Sequence, residues 1–111
     1  MSFAKSNNQT KTADKPRVTV DMLHNLHAVV RNVRCVAENC LTFTLRLYCV
    51  DLYNMRLVES TKDTFISASA TKGKDGKYYD NYRVYFDNDA KNAVETAVRR
   101  AYDSDIPEVE V

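Results

Sequence analysis

The sequence predicts an α+β fold, a small antiparallel β-sheet of about five strands with one C-terminal amphipathic helix packed on it. Three observations carry this reading. Leu41, Phe43, Leu45 and Leu47 alternate strictly with Thr42, Thr44, Arg46 and Tyr48, which is the period of a strand with one face in a core. Ala90, Ala93, Val94, Ala97, Val98, Ala101 and Tyr102 recur at helical spacing, with Lys91, Glu95, Arg99 and Arg100 on the opposite face. Asp75-Gly76 sits between two candidate strands, and both residue types tolerate the positive φ of a tight hairpin turn.

In chain order, residues 1–16 are polar and rich in Asn, Lys, Thr and Ser, and read as a disordered tail. Val18 and Val20 alternate with polar neighbours and suggest a short strand. Asp21 stands as a cap for a brief helix carrying Leu23 and Leu26. Val29 to Val36 is rich in valine, a strand former. Glu38-Asn39 makes a turn into the alternating run from Leu41 to Tyr48, and Asp51 to Asn54 breaks that run. Met55 and Leu57, then Phe65, Ile66 and Ala68, give two further strands separated by the polar stretch Glu59–Asp63.

The only glycines, Gly73 and Gly76, fall in the Lys72–Lys77 hairpin, and the aromatic-dense run Tyr78 to Phe86 reads as its returning strand. Asp87, Asn88 and Asp89 offer N-caps for the helix, whose arginines lie toward its C-terminal end as the helix dipole favours. The spacings Lys91–Glu95 and Glu95–Arg99 suit i,i+4 ion pairs. Pro107 and the acidic residues of 105–111 form a short tail, leaving 17–104 as the folded domain.

The chain has 111 residues, of which 44% are hydrophobic, and a net charge of +1. That suits one domain with a small core. The charge balance excludes a case for nucleic acid built on global charge, so any such case rests on local patches. Cys35, Cys40 and Cys49 are odd in number. With no secretory leader pattern and no membrane-length apolar run, they read as reduced thiols of a cytoplasmic protein.

From Met55 to Asp103 the sequence resembles the stage V sporulation protein G family, the septation protein SpoVG family. The residues that carry the resemblance are Met55-Arg56-Leu57-Val58-Glu59 and Phe65-Ile66-Ser67-Ala68. They continue through Thr71-Lys72-Gly73-Lys74-Asp75-Gly76-Lys77-Tyr78-Tyr79-Asp80, with Ala97-Val98 and Tyr102-Asp103 in the helix. Ala68-Ser69 stands where the family has Met-Pro, and Asn81-Tyr82-Arg83-Val84-Tyr85 where it has an Ala-His-Pro step. These departures mark a divergent relative of the kind a phage or mobile element would carry. The resemblance implies a small dimeric regulator that binds DNA or RNA through the basic loop and the start of the following helix. By position these are Thr71 and Lys72, then Asn88 and Lys91.

The residues themselves add Lys74, Lys77 and Arg83, interleaved with Tyr78, Tyr79, Tyr82 and Tyr85. Lysines neutralise phosphates and aromatic faces stack on unpaired bases. Against this stands the plain reading that exposed turn lysines serve solubility and strand tyrosines pack. For Arg99 and Arg100 a solvated helix face is the preferred reading. A rival function is a protein-interaction module that docks a host protein through the tyrosine-rich strand, since tyrosine is enriched in interfaces. Pairing of edge strands between two copies would extend the core and present two basic hairpins.

His24-x-x-His27 with Cys35 and Cys40 has zinc-ligand chemistry, but Cys35-x4-Cys40 is loose for a zinc knuckle. There is no Gly-rich phosphate loop, no nucleophile elbow and no ordered His-Cys or His-Ser motif. Asp75, Asp80 and Asp87 occupy turn positions. The expectation is a protein without enzymatic activity, metal, cofactor or small-molecule substrate.

Overall fold

The alternating run from residue 41 forms the central strand of a five-stranded sheet. The computed structural model describes residues 16–111. Along them run α1 (Val20–Asn25), β1 (Val29–Ala37), β2 (Cys40–Leu47), β3 (Val50–Glu59), β4 (Thr64–Ser67), β5 (Ala70–Lys72), β6 (Tyr78–Asp80), α2 (Asn88–Asp103) and β7 (Glu108–Glu110). The fold is α+β. The antiparallel sheet has the order β4-β3-β2-β1-β7, α2 packs on one of its faces, and β5 pairs with β6 as a separate ribbon. The disordered tail expected over residues 1–16 lies outside the described residues except for Pro16.

Register divides the sheet into two faces, because alternate residues point to opposite sides. Val109, Val30 and Leu45 lie opposite one another across β7, β1 and β2, as do Phe43 and Met55, and Leu41, Leu57 and Ile66. Most of these side chains are buried against Ala90, Val94, Ala97, Val98 and Ala101 of α2 and Leu23 of α1. Alanine on the helix lets its backbone lie close to the sheet. Each fully buried Phe, Leu or Met side chain in this layer contributes about 1.5–3 kcal/mol.

The other face carries Arg34, Thr42, Arg56 and Ser67 in one cross-strand row. Neighbouring rows hold Glu108, Arg31 and Thr44, then Glu110, Val29, Arg46 and Asp51. Among the described residues the sheet has three register irregularities, one of them between Cys35 and Ala37 beside the β1–β2 turn, and the other two keep these faces in phase. β1 is irregular between Arg31 and Arg34, where Asn32 has φ 53°, and β3 gains a residue opposite Phe43–Leu45, where Asn54 has φ 59°. Asparagine tolerates the left-handed region that such an extra residue occupies.

Both helices are capped by side chains. Thr19 Oγ1 accepts the Met22 N–H at 3.2 Å, so Asp21 lies in the first turn of α1 and is not its cap. For α2 the cap among the three candidates is Asp87, which accepts the Ala90 N–H at 2.7 Å. Of the two i,i+4 pairs, Arg99–Glu95 forms at 3.0 Å, while Lys91 turns instead to Asp63 at 3.8 Å.

Four further sequence expectations change. Val18 and Val20 do not make a strand: Val18 forms one isolated parallel bridge to Phe86, and Val20 opens α1. Asp51–Asn54 does not interrupt the sheet. The turn is Tyr48-Cys49, and β3 begins at Val50 because Asp51 pairs across the sheet with Arg46. The returning strand stops at Asp80. Residues 81–86 leave the ribbon and run to α2, with Tyr82, Val84 and Phe86 packing against the core. The 105–111 segment is not a tail, since Glu108–Glu110 pairs with β1, Val109 is buried, and the Val111 N–H reaches the Ala28 carbonyl at 2.9 Å. Alternation over Glu108-Val109-Glu110 places one apolar side chain in the core between two exposed carboxylates.

Candidate nucleic-acid interface

The hairpin forms where Asp75-Gly76 predicts it, with a three-residue loop. The Gly76 N–H donates to the Gly73 carbonyl at 3.1 Å, and Gly76 has φ 83°. This is the pattern of a turn followed by a bulge glycine in a left-handed conformation. Asp75 does not need positive φ. Its carboxylate instead accepts the Lys77 N–H at 3.0 Å and the Tyr79 hydroxyl at 2.5 Å. The Tyr79 hydrogen bond, with the backbone donor at Lys77 second, holds the Asp75 carboxyl below its ordinary pKa, and the same bond raises the Tyr79 phenol. A Cβ on Gly73 would come within 2.8 Å of the Tyr79 ring. The first glycine thus makes room for the ring and the second makes the turn.

Further along, the hairpin is stitched to its own base. Thr71 Oγ1 donates to Asn81 Oδ1 at 2.9 Å, the Asn81 side-chain amide donates to Ser69 Oγ at 2.8 Å, and the Asn81 backbone N–H reaches the Ser69 carbonyl. The Tyr82 hydroxyl donates to the Tyr53 carbonyl at 2.7 Å and anchors the ribbon's exit to β3. Burial raises the Tyr82 phenol pKa.

These bonds leave Lys72, Lys74 and Lys77 exposed on the ribbon, none in an ion pair among the described residues. Tyr78 is 67% exposed beside them, and the Tyr79 ring is half exposed. The other predicted cations differ. Arg83 donates to Asp80 at 2.5 Å, and that hydrogen bond raises the guanidinium pKa further. Lys91 faces Asp63, and Asn88 is exposed in the first turn of α2. Thr71, Lys72, Lys74, Lys77 and Arg83 therefore share the ribbon and its base. Asn88 and Lys91 belong to a separate element.

The four zinc-type residues are divided between two places. His24 and His27 line a recess with Glu110 and Val111, whereas Cys35 and Cys40 line another with Arg99 and Tyr102. All three cysteines are free thiols. No helix among the described residues is long and apolar enough to cross a membrane.

Sequence reading did not single out Arg34 and Arg56. Both are exposed on the open sheet face, and neither is in an ion pair among the described residues. On the same face Arg46 Nε lies 2.7 Å from Asp51, and this hydrogen-bonded pair lowers the Asp51 pKa. Arg31 Nε lies 3.5 Å from Glu108, a charge contact without hydrogen-bond geometry. The only sequence signal was the polar phase of the alternation, Thr42-Thr44-Arg46, which marks one side of β2 without naming its cross-strand neighbours.

Comparison with family models, with curated proteins and with solved structures gives no match.

Proposed function

We propose that the protein binds nucleic acid, DNA or RNA, through the β5–β6 hairpin and acts as a homodimeric regulator. One observation carries the reading: among the described residues Lys72, Lys74 and Lys77 stand free of carboxylates on a ribbon with an exposed Tyr78, while Arg46, Arg83, Lys91 and Arg99 are occupied by acidic partners. Lysines free of carboxylates release counterions from phosphates at no cost in broken ion pairs. A tyrosine face beside them suits a base. The resemblance of residues 55–103 to the SpoVG family supports the same surface. Dimerisation through an edge strand, β4 or β7, would present two hairpins and raise weak single-site binding by bivalency. Protein docking along a tyrosine-rich strand has less to rest on, because the strand ends at Asp80 and Tyr82 packs inward.

The test is a mobility-shift panel of single- and double-stranded DNA and RNA at low salt. Binding is expected. Lys72→Glu with Lys74→Glu should weaken it while the melting curve stays that of the parent chain. Absence of binding to every member of the panel sinks the function. Binding that survives the double reversal sinks the site. Sedimentation over a range of concentrations reads the dimer, and a monomer throughout removes that part.

A further inference from the structure

We infer that the open face of the five-stranded sheet is a second contact surface for the same nucleic acid, a single strand laid across the row Arg34–Thr42–Arg56–Ser67. This rests on nucleic-acid binding by the hairpin. Among the described residues no helix covers this face, since α2 and α1 pack on the opposite side. Antiparallel pairing places Arg34, Thr42, Arg56 and Ser67 side by side over β1, β2, β3 and β4. Adjacent strands lie about 4.8 Å apart, so the two arginines flank the Thr42 hydroxyl about 10 Å from each other at the backbone. Guanidinium forks of that spacing can close on a phosphate lying between them.

Aromatic surface lies on both sides of the row. Phe65, opposite Val58, is 46% exposed. Tyr53 is 59% exposed, and its hydroxyl lies 3.4 Å from Asp51, on the open face. A cationic row between two exposed rings matches a single strand, whose phosphates seek charge and whose unpaired bases seek π-faces. A duplex keeps its bases stacked inside and would leave both rings without a partner.

The row also leads to the hairpin. Ser67 is the last residue of β4, and the chain passes through Ala68 and Ser69 directly into β5. Ser67 and Arg83 line one shallow recess with Asp80 and Tyr85. The base of the ribbon, with Arg83, thus lies next to the Ser67 end of the row.

The test uses the full chain and a labelled oligothymidylate of about ten nucleotides, within the span that sheet-type single-strand sites cover. Anisotropy titrations at several salt concentrations should show Arg34→Gln/Arg56→Gln binding with a log K against log salt slope shallower by about 1.4, from two lost phosphate contacts. Tyr53→Ala should weaken binding by about 5- to 150-fold and leave the slope unchanged. In the wild-type chain the amide signals of Thr42 and Ser67 should shift on titration, a readout independent of any variant's folding. If the wild type binds in a lysine-dependent manner while the arginine variant keeps its slope and Thr42 does not move, the sheet face is overturned and the hairpin stands. If the arginine variant changes mass in solution and not affinity, a second copy covers the face and the inference is likewise overturned. No binding by the wild type overturns both.

Discussion

Neutralising the ribbon should flatten the salt dependence of binding by a calculable amount. The perturbation is Lys72→Gln with Lys74→Gln and Lys77→Gln, all exposed and all outside ion pairs among the described residues. It leaves untouched the Asp75 contacts that shape the turn, because Lys77 contributes only its backbone N–H there. With these lysines and Arg34 and Arg56 on phosphates, a single strand should give a slope of about −3.5. That is a loss of about a hundredfold in affinity from about 50 to 200 mM salt. The triple variant should retain a slope of about −1.4 and lose only about sevenfold over the same range. Anisotropy with the oligothymidylate probe reads both, and thermal melting confirms that the fold is kept. A triple variant whose slope equals that of the parent would refute the reasoning outright, since the lysines would then touch no phosphate.

Three further outcomes follow from the geometry. Deleting residues 107–111 removes Val109 from the core and strips β7 from β1; urea unfolding should show a loss of at least about 1.5–3 kcal/mol, whereas an unchanged midpoint would mean the segment is a tail after all. Gly76→Ala forces a side chain into φ 83° and should weaken the ribbon by about 1–2 kcal/mol, with Gly76→Asn milder; equal amide spectra for the two would contradict the turn geometry. The Asp75 carboxyl is held below its ordinary value, so its contribution to the ribbon is fully present above the unfolded aspartate range and is lost as pH falls through the depressed value. An acid titration followed at the Lys77 amide should show that loss only at the acid end, and Tyr79→Phe should move the transition up toward the ordinary aspartate range. An Asp75 that titrates in the parent at or above that range would be evidence against the lock.

Elements whose signal is local were legible in the sequence. The alternation in β2 and the helical spacing of α2 both follow from one buried face meeting one exposed face, and neither needs knowledge of a partner strand. Where pairing decides, sequence reading failed. Asp51–Asn54 resembles a turn until Arg46 is known to lie opposite Asp51. Glu108-Val109-Glu110 resembles an acidic tail until Val30 is known to need cover on its β7 side. Tyr78–Phe86 carries strand-forming residues throughout, yet its second half is drawn to the core and to α2 by Tyr82, Val84 and Phe86. The hairpin lysines were visible because turn chemistry is local. The arginine row was not, because it exists only once three registers and a bulge are set.

The β5–β6 ribbon shares no strand pairing with the main sheet, and two-stranded ribbons have little stability of their own. Its stiffness therefore comes from a few inward contacts: the Tyr79 ring over Gly73, its hydroxyl on Asp75, and the Tyr82 anchor on β3. Such a unit can open and close while the core stays shut. A ligand that grips a loose ribbon must first still it, and that ordering is subtracted from the affinity its charges supply. For a nucleic acid held there as proposed, residence time would depend on a glycine and two phenols as well as on the lysines, so two chains with the same basic residues and different inner contacts would release the same ligand at different rates.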